Sequence, residues 1–114
     1  MVTFSCKIIS KEELIRCSFN LNKTEYSVLI FLLKSNKAHT VFQVSKAMKL
    51  KRTTIQKAIK KLVEEGLVKK TQKNLDRGGY VFLYKPNDKN EIKSKLKKIT
   101  CNWCKGVEEA ISRL

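Results

Sequence analysis

Apolar residues recur along most of this chain at spacings of three and four, and over two short stretches they read as strands instead. In LKRTTIQKAIKKLVEEGLVKK (residues 50–70), Ile55, Ala58, Ile59, Leu62 and Val63 fall on one side of a helix, and the other positions are crowded with Lys, Arg, Thr and Gln. Gly66 offers the left-handed conformation that ends a helix, and Leu67 and Val68 begin a strand. Upstream, KEELIRCS (residues 11–18) reads as a short helix. LNKTEYSVLIFLLKSN carries a start signal, with Asn22 as cap and Glu25 three residues later to reach back. Its apolar positions Tyr26, Leu29, Ile30, Leu32 and Leu33 are dense enough for a helix buried on more than one side, and Asn36 and Lys37 close it. HTVFQVSKAMKL starts another short helix, with Thr40 as cap, Gln43 completing the box, and Phe42, Val44, Ala47 and Met48 as its inward face. A tight turn around MKLK leads into the basic helix.

LVKKTQ and YVFLYK are strand-like runs separated by KNLDRGG, a polar, glycine-containing hairpin loop, and Pro86 ends the second strand. From about residue 90 a final helix is expected to run to Leu114. In it Ile92, Leu96, Ile99, Trp103, Gly106 and Ala110 alternate spacings of four and three, the seam of a coiled coil. The fold class is therefore mainly α, within α+β: a winged helix-turn-helix followed by a long C-terminal dimerisation helix. Residues 1–86 are expected to form the DNA-binding domain, and residues 87–114 the dimerisation helix.

In a winged helix-turn-helix the second helix of the pair enters the major groove, whose width accommodates a helix and whose base edges differ pair by pair. The stretch from about residue 52 to 65 holds that position. Near its start Arg52, Thr53, Thr54, Gln56 and Lys57 face outward. Arg can donate two bonds to guanine, Gln can pair with adenine, and Thr can bond a base edge or touch a thymine methyl. Lys60 and Lys61, a turn later, suit phosphate, which adds affinity without sequence information. Lys51 occupies the cap position, where Ser, Asp or Asn is favoured; a cation there opposes the helix dipole at a cost of a few tenths to about 1 kcal/mol. Bound phosphate would relieve that cost. Lys73, Asn74 and Arg77 fall at the tip of the hairpin loop (the wing, about 72–79), where such loops reach a flanking groove or backbone. A solvated lysine-rich helix face and a simple solubilising turn are the plainer readings of the same residues. Tyr80, Phe82 and Tyr84 alternate, share one strand face, and suit packing better than base stacking.

These segments resemble a known family. LNKTEYSVLIFLLKSN, RTTIQKAIKKLVEEGLVKK and LDRGGYVFLYK look like the small archaeal winged helix-turn-helix transcriptional regulators related to the TrmB and MarR groups, over roughly residues 18–85. The frame from Thr54 through Gln56, Lys60 and Leu62 to Gly66-Leu67-Val68 is widespread among winged helices; LDRGGY is the more distinctive segment. The resemblance implies a homodimeric transcriptional regulator on a partly palindromic site, with helices from the chain ends forming the dimer. It also makes Arg52, Thr53, Thr54, Gln56 and Lys57 the readers and Arg77 the wing contact. Larger TrmB proteins carry a separate sugar-binding domain for which this sequence leaves no room, so a sugar effector is not expected. The pair of cysteines in the terminal helix departs from the family's pattern.

The charge balance agrees with a polyanionic partner: 25 Lys and Arg stand against 10 Asp and Glu, a net charge of +15. A lysine-rich surface of an AT-rich or thermophilic genome would give a similar balance. At 114 residues and 42% hydrophobic content the chain fits one compact domain with an appended helix. No run approaches the roughly 20 apolar residues of a membrane span, and MVTFSCKIIS lacks the apolar stretch of a signal peptide, so a cytoplasmic protein with no membrane partner is expected.

Four cysteines in such a compartment should be thiols. Cys101 and Cys104 form a single CxxC, a weak signal. A zinc site would need Cys6 and Cys17, or His39, to complete it, and a disulfide between residues three apart in mid-helix is strained. Packing beside Trp103 as small apolar groups is the leading reading for the pair, with redox and metal roles as alternatives. No metal and no cofactor is expected. An enzyme is not expected either: His39 has no acid or nucleophile at recognisable spacing, there is no phosphate-binding glycine loop, and CNWC lacks the preceding strand of a thioredoxin-type site. Two other functions compete with a site-specific regulator: a non-specific nucleic-acid-coating or chromatin protein, and a winged-helix protein–protein module of the transcription machinery. Steep salt dependence together with a preferred sequence would distinguish the first from both.

Overall fold

At every helix start but that of the fourth helix, an oxygen-bearing side chain takes up an otherwise orphaned backbone donor. The computed structural model describes residues 2, 3 and 5–114, with side chains from residue 5 onward. A minimal antiparallel pair, β1 (Val2–Thr3) with β2 (Ile8–Ile9), precedes helix α1 (Lys11–Phe19), where the Ser10 hydroxyl accepts from the Glu13 N–H at 3.1 Å. Helix α2 (Lys23–Ser35) starts with the expected capping box: Asn22 Oδ1 accepts from the Glu25 N–H at 2.7 Å, and Glu25 Oε1 accepts from the Asn22 N–H at 2.9 Å. Thr40 and Gln43 build the same reciprocal pair at the start of α3 (Val41–Met48), at 3.2 and 3.0 Å. Then come α4 (Arg52–Glu64), the hairpin strands β3 (Val68–Asn74) and β4 (Tyr80–Pro86), and α5 (Lys89–Ser112).

The chain divides into two compact units, one spanning Leu21–Asn87 and the other joining the first twenty residues to Asp88–Leu114. Within the latter unit α1 packs against α5.

In the winged-helix unit α4 is the central element, packed against α2, α3 and β3. Val28, Leu29 and Leu32 of α2, Val44 of α3, Ile55, Ala58, Ile59 and Leu62 of α4, and Leu67 and Val68 are buried. Each of the Val, Leu and Ile side chains contributes about 1.5–3 kcal/mol. Beside the hairpin, His39 exchanges backbone bonds with Tyr84 (2.9 and 2.8 Å), adding a one-residue third strand. The His39 ring meets the Ser35 hydroxyl at 3.0 Å and stacks obliquely on Phe31, so this histidine is structural.

The inward face of α3 differs from expectation. Phe42 is 48% exposed, and Ala47 is exposed too; Val44 and Met48 turn inward as expected, joined by Val41 and Ser45 at helical spacings of three, one and three. Ser45 can be buried because its hydroxyl donates to the Leu50 carbonyl at 2.5 Å, while the Leu50 N–H donates to the Ser45 carbonyl at 3.1 Å. This exchange closes a turn of Lys49–Lys51, one residue shorter than MKLK suggested, with Lys49 in the left-handed region (φ 56°).

In the other unit Ile92 is buried and Leu96 and Ile99 are half-buried, but Trp103, Gly106 and Ala110 are exposed. Val107, Ile111 and Leu114, which the proposed seam left out, are exposed as well. Among the described residues no helix is long and apolar enough to cross a membrane.

Candidate nucleic-acid interface

The amphipathic sequence of α4 puts its four buried residues on one side and leaves a cationic face opposite. Arg52, Thr53, Gln56, Lys57 and Lys60 are exposed on that face, as is the preceding Lys51. Two of the expected contact residues stand apart from them. Thr54 is half-buried and lines an open depression with Asn22, Thr24, Glu25, Lys57 and Ala58, because it flanks the buried stripe. Lys61 is half-buried and its Nζ pairs with Glu65 Oε1 at 2.9 Å; that hydrogen bond raises the affinity of its amine for the proton. An intrahelical carboxylate thus already occupies Lys61.

The start of α4 lacks the side-chain cap that α1, α2 and α3 possess. Lys51 has the extended conformation of an N-cap residue (φ −65°, ψ 145°) but makes no capping bond. The first turn contains no acidic residue, so the positive end of the helix dipole faces Lys51 and Arg52 without a counter-charge. Such an end is a ready site for an anion.

The wing differs in its boundaries. Lys73 and Asn74 lie in β3, paired with Val81 and Tyr80, and the loop proper is residues 75–79. Asn74 and Tyr80 stay paired because the chain reverses later than KNLDRGG suggested, through Gly78 (φ 90°) and Gly79 (φ 80°). Both conformations strain any residue with a Cβ, which explains the glycine pair. The Leu75 N–H donates to the Gly79 carbonyl at 3.0 Å and the Gly78 N–H to the Leu75 carbonyl at 3.1 Å. These bonds fix a loop on which Arg77 is exposed.

The hairpin has two chemically distinct faces. Tyr80, Phe82 and Tyr84 share one of them, with Tyr80 and Phe82 edge-on at 5.2 Å and Lys70 Nζ over the Phe82 ring at 4.0 Å. The other face carries Lys69, Thr71, Lys73 and Lys85 together with the half-buried Val81 and Leu83, and Lys69 is paired directly across the ladder from Lys85. Like charges placed opposite one another are destabilising, so this pairing suits a polyanion laid against it. Sequence reading missed Lys69 and Lys85; the strand alternation already put Lys69 and Lys73 on one face, but only the register brings Lys85 beside them.

Little negative charge offsets these cations. The acidic residues of the Leu21–Asn87 unit are Glu25, Glu64, Glu65 and Asp76. Of these, Glu25 is committed to its capping box and Glu65 to Lys61.

A family model described as the sugar-specific transcriptional regulator TrmB matches residues 15–90, a span that contains the whole winged-helix unit. The chain belongs to the TrmB family. Its winged helix, basic α4 and hairpin are accordingly those of a DNA-binding transcriptional regulator, a class that is not enzymatic. This TrmB-family chain is similar to a possible transcriptional regulator from Methanosarcina mazei, with 33% identity, a TM-score of 0.91, and coverage of 99% of this chain and 95% of that one. It is 28% identical over 109 residues to the uncharacterized protein MJ1503 of Methanocaldococcus jannaschii, covering 96% of this chain and 82% of that protein. A transcriptional regulator of the MarR family from Enterococcus faecalis shares the fold, at 15% identity and a TM-score of 0.56, covering 100% and 97% of the two chains.

The cysteines do not assemble. Cys6, Cys17, Cys101 and Cys104 are all free and exposed, and no cluster of three or more metal-ligating side chains occurs among the described residues. The exposure of Cys101 and Cys104 departs from the expectation that they pack as apolar groups.

Proposed function

We propose that this regulator is a homodimer that binds double-stranded DNA at a specific, two-fold related sequence. Each α4 lies in a major groove, and each wing lies on the flanking groove or backbone. The observation that carries this reading is the cationic face of α4, which stands opposite a fully buried stripe and has no carboxylate partner at Arg52, Lys57 or Lys60 among the described residues. Arg52, Gln56 and Thr53 are the base readers, through bidentate bonds to guanine, bonds to adenine, and contact with a base edge or thymine methyl. Lys51, Lys57 and Lys60 hold phosphate, and Arg77 with Lys73 and Asn74 serves the wing. Thr54 and Lys61 act at the margin of the interface.

Dimerisation falls to the second half of α5. Trp103, Val107 and Ile111, with Leu114 just past the helix end, leave an apolar strip exposed there, and Gly106 and Ala110 allow close approach of a second helix. Sedimentation of the wild type and of Val107→Glu tests this part: the wild type should run as a dimer and the variant as a monomer. A monomeric wild type contradicts it.

Selection of a randomised duplex pool by the purified protein at physiological salt tests the whole. Enrichment of a two-fold motif is expected. Retention without enrichment means that a non-specific coating protein describes the molecule better, and no retention at all contradicts DNA binding through this face.

A further inference from the structure

Phe42 is an anomaly of α3. It is a large apolar side chain, 48% exposed, next to the helix that carries the cations. Lys46 Nζ lies 4.7 Å from the centre of its ring and Arg52 Cζ lies 5.7 Å from it. Both are within the range over which the negative face of an aromatic ring attracts a cation. Neither Lys46 nor Arg52 has a carboxylate within salt-bridge reach among the described residues, so the ring is their observed electrostatic partner.

We propose that Phe42 is a positioning residue for DNA recognition, its ring holding the Arg52 guanidinium at the start of α4 in the orientation that reads a base. The proposal rests on the reading of α4 as the DNA-contacting helix. A free arginine side chain loses rotamer entropy when it is fixed. A side chain already held over a ring loses less on binding, and its planar fork then selects guanine geometry more sharply. An apolar core role does not account for Phe42, since Val41, Val44, Ser45 and Met48 supply the inward face of α3.

The test is a double-mutant cycle measured on the duplex that the wild-type protein selects and on a scrambled duplex. Phe42→Leu should weaken binding to the selected duplex about two- to fivefold, the loss of one exposed cation–π contact, and leave the scrambled duplex nearly unaffected. In an Arg52→Ala background Phe42→Leu should add little, and in repeated selection it should blur the same base position that Arg52→Ala blurs. Phe42→Tyr keeps a ring and should restore wild-type behaviour. Additive losses in the cycle, equal losses on both duplexes, or failure of Phe42→Tyr to restore binding would overturn the proposal while leaving the DNA-reading helix intact. Absence of any selected duplex for the wild type would overturn both together.

Discussion

Replacing Lys51 by serine should make the protein more stable and a weaker DNA binder at once. Ser10, Asn22 and Thr40 each accept from the backbone N–H three residues later, at 3.1, 2.7 and 3.2 Å. Lys51 has the same extended conformation, and the corresponding donor is the Thr54 N–H. A serine hydroxyl at this position can take the same bond, and a new N-cap contributes typically about 1 kcal/mol. Removing the cation from the positive end of the dipole adds a few tenths more, so Lys51→Ser should gain about 1–1.5 kcal/mol. For a unit of this size that corresponds to a rise of roughly 4–10 °C in Tm, read by circular dichroism melting. If Lys51 holds a phosphate, the same change releases one fewer counterion on binding. The slope of log affinity against log salt, measured by fluorescence anisotropy, should then become shallower by about 0.9 for each subunit. An unchanged or lower Tm would refute the capping argument. A higher Tm with an unchanged salt slope would remove Lys51 from the interface and leave its cationic character without a role.

Lys60→Ala should weaken DNA binding more than Lys61→Ala, because Lys60 is exposed while Lys61 is held by Glu65 at 2.9 Å; parallel anisotropy titrations on one duplex check the order. Ser45→Ala should cost about 1 kcal/mol in denaturant unfolding, since it removes the bond that the buried hydroxyl makes across the turn to the Leu50 carbonyl. The same variant should also reduce discrimination between specific and scrambled duplexes, because that turn sets how α4 leaves α3.

Local signals in the sequence were the ones most easily read. Asn22 with Glu25 and Thr40 with Gln43 specify their helix starts within four residues, and the buried stripe of α4 is strong enough to identify its core side unaided. What needed the structure depends on partners distant in the chain or on polarity at odds with burial. Polarity alone gives no reason to bury Ser45 until the Leu50 carbonyl is beside it, and apolar character alone puts Phe42 on the inward face in its place. The wing loop is shorter than its polar stretch suggests because the pairing of Lys73 and Asn74 depends on where Gly78 and Gly79 reverse the chain. Among the described residues the β1–β2 pair comprises two residue pairs, too few for alternation to register. In α5 the apolar spacing is continuous, yet Ile92 is buried while Trp103 and Ile111 are exposed; periodicity marks an apolar side without saying what covers it.

That α4 reads bases is tested most directly by duplex selection run side by side with the wild type and Gln56→Ala. Gln56 lies on the exposed face of α4 one turn beyond Arg52, and its amide suits adenine. The wild type should enrich a two-fold motif, and Gln56→Ala should enrich the same motif with one symmetric pair of positions relaxed, at about 1–3 kcal/mol of lost discrimination there. An identical motif from both proteins would contradict Gln56 as a reader, and no motif from either would contradict the reading of α4 itself.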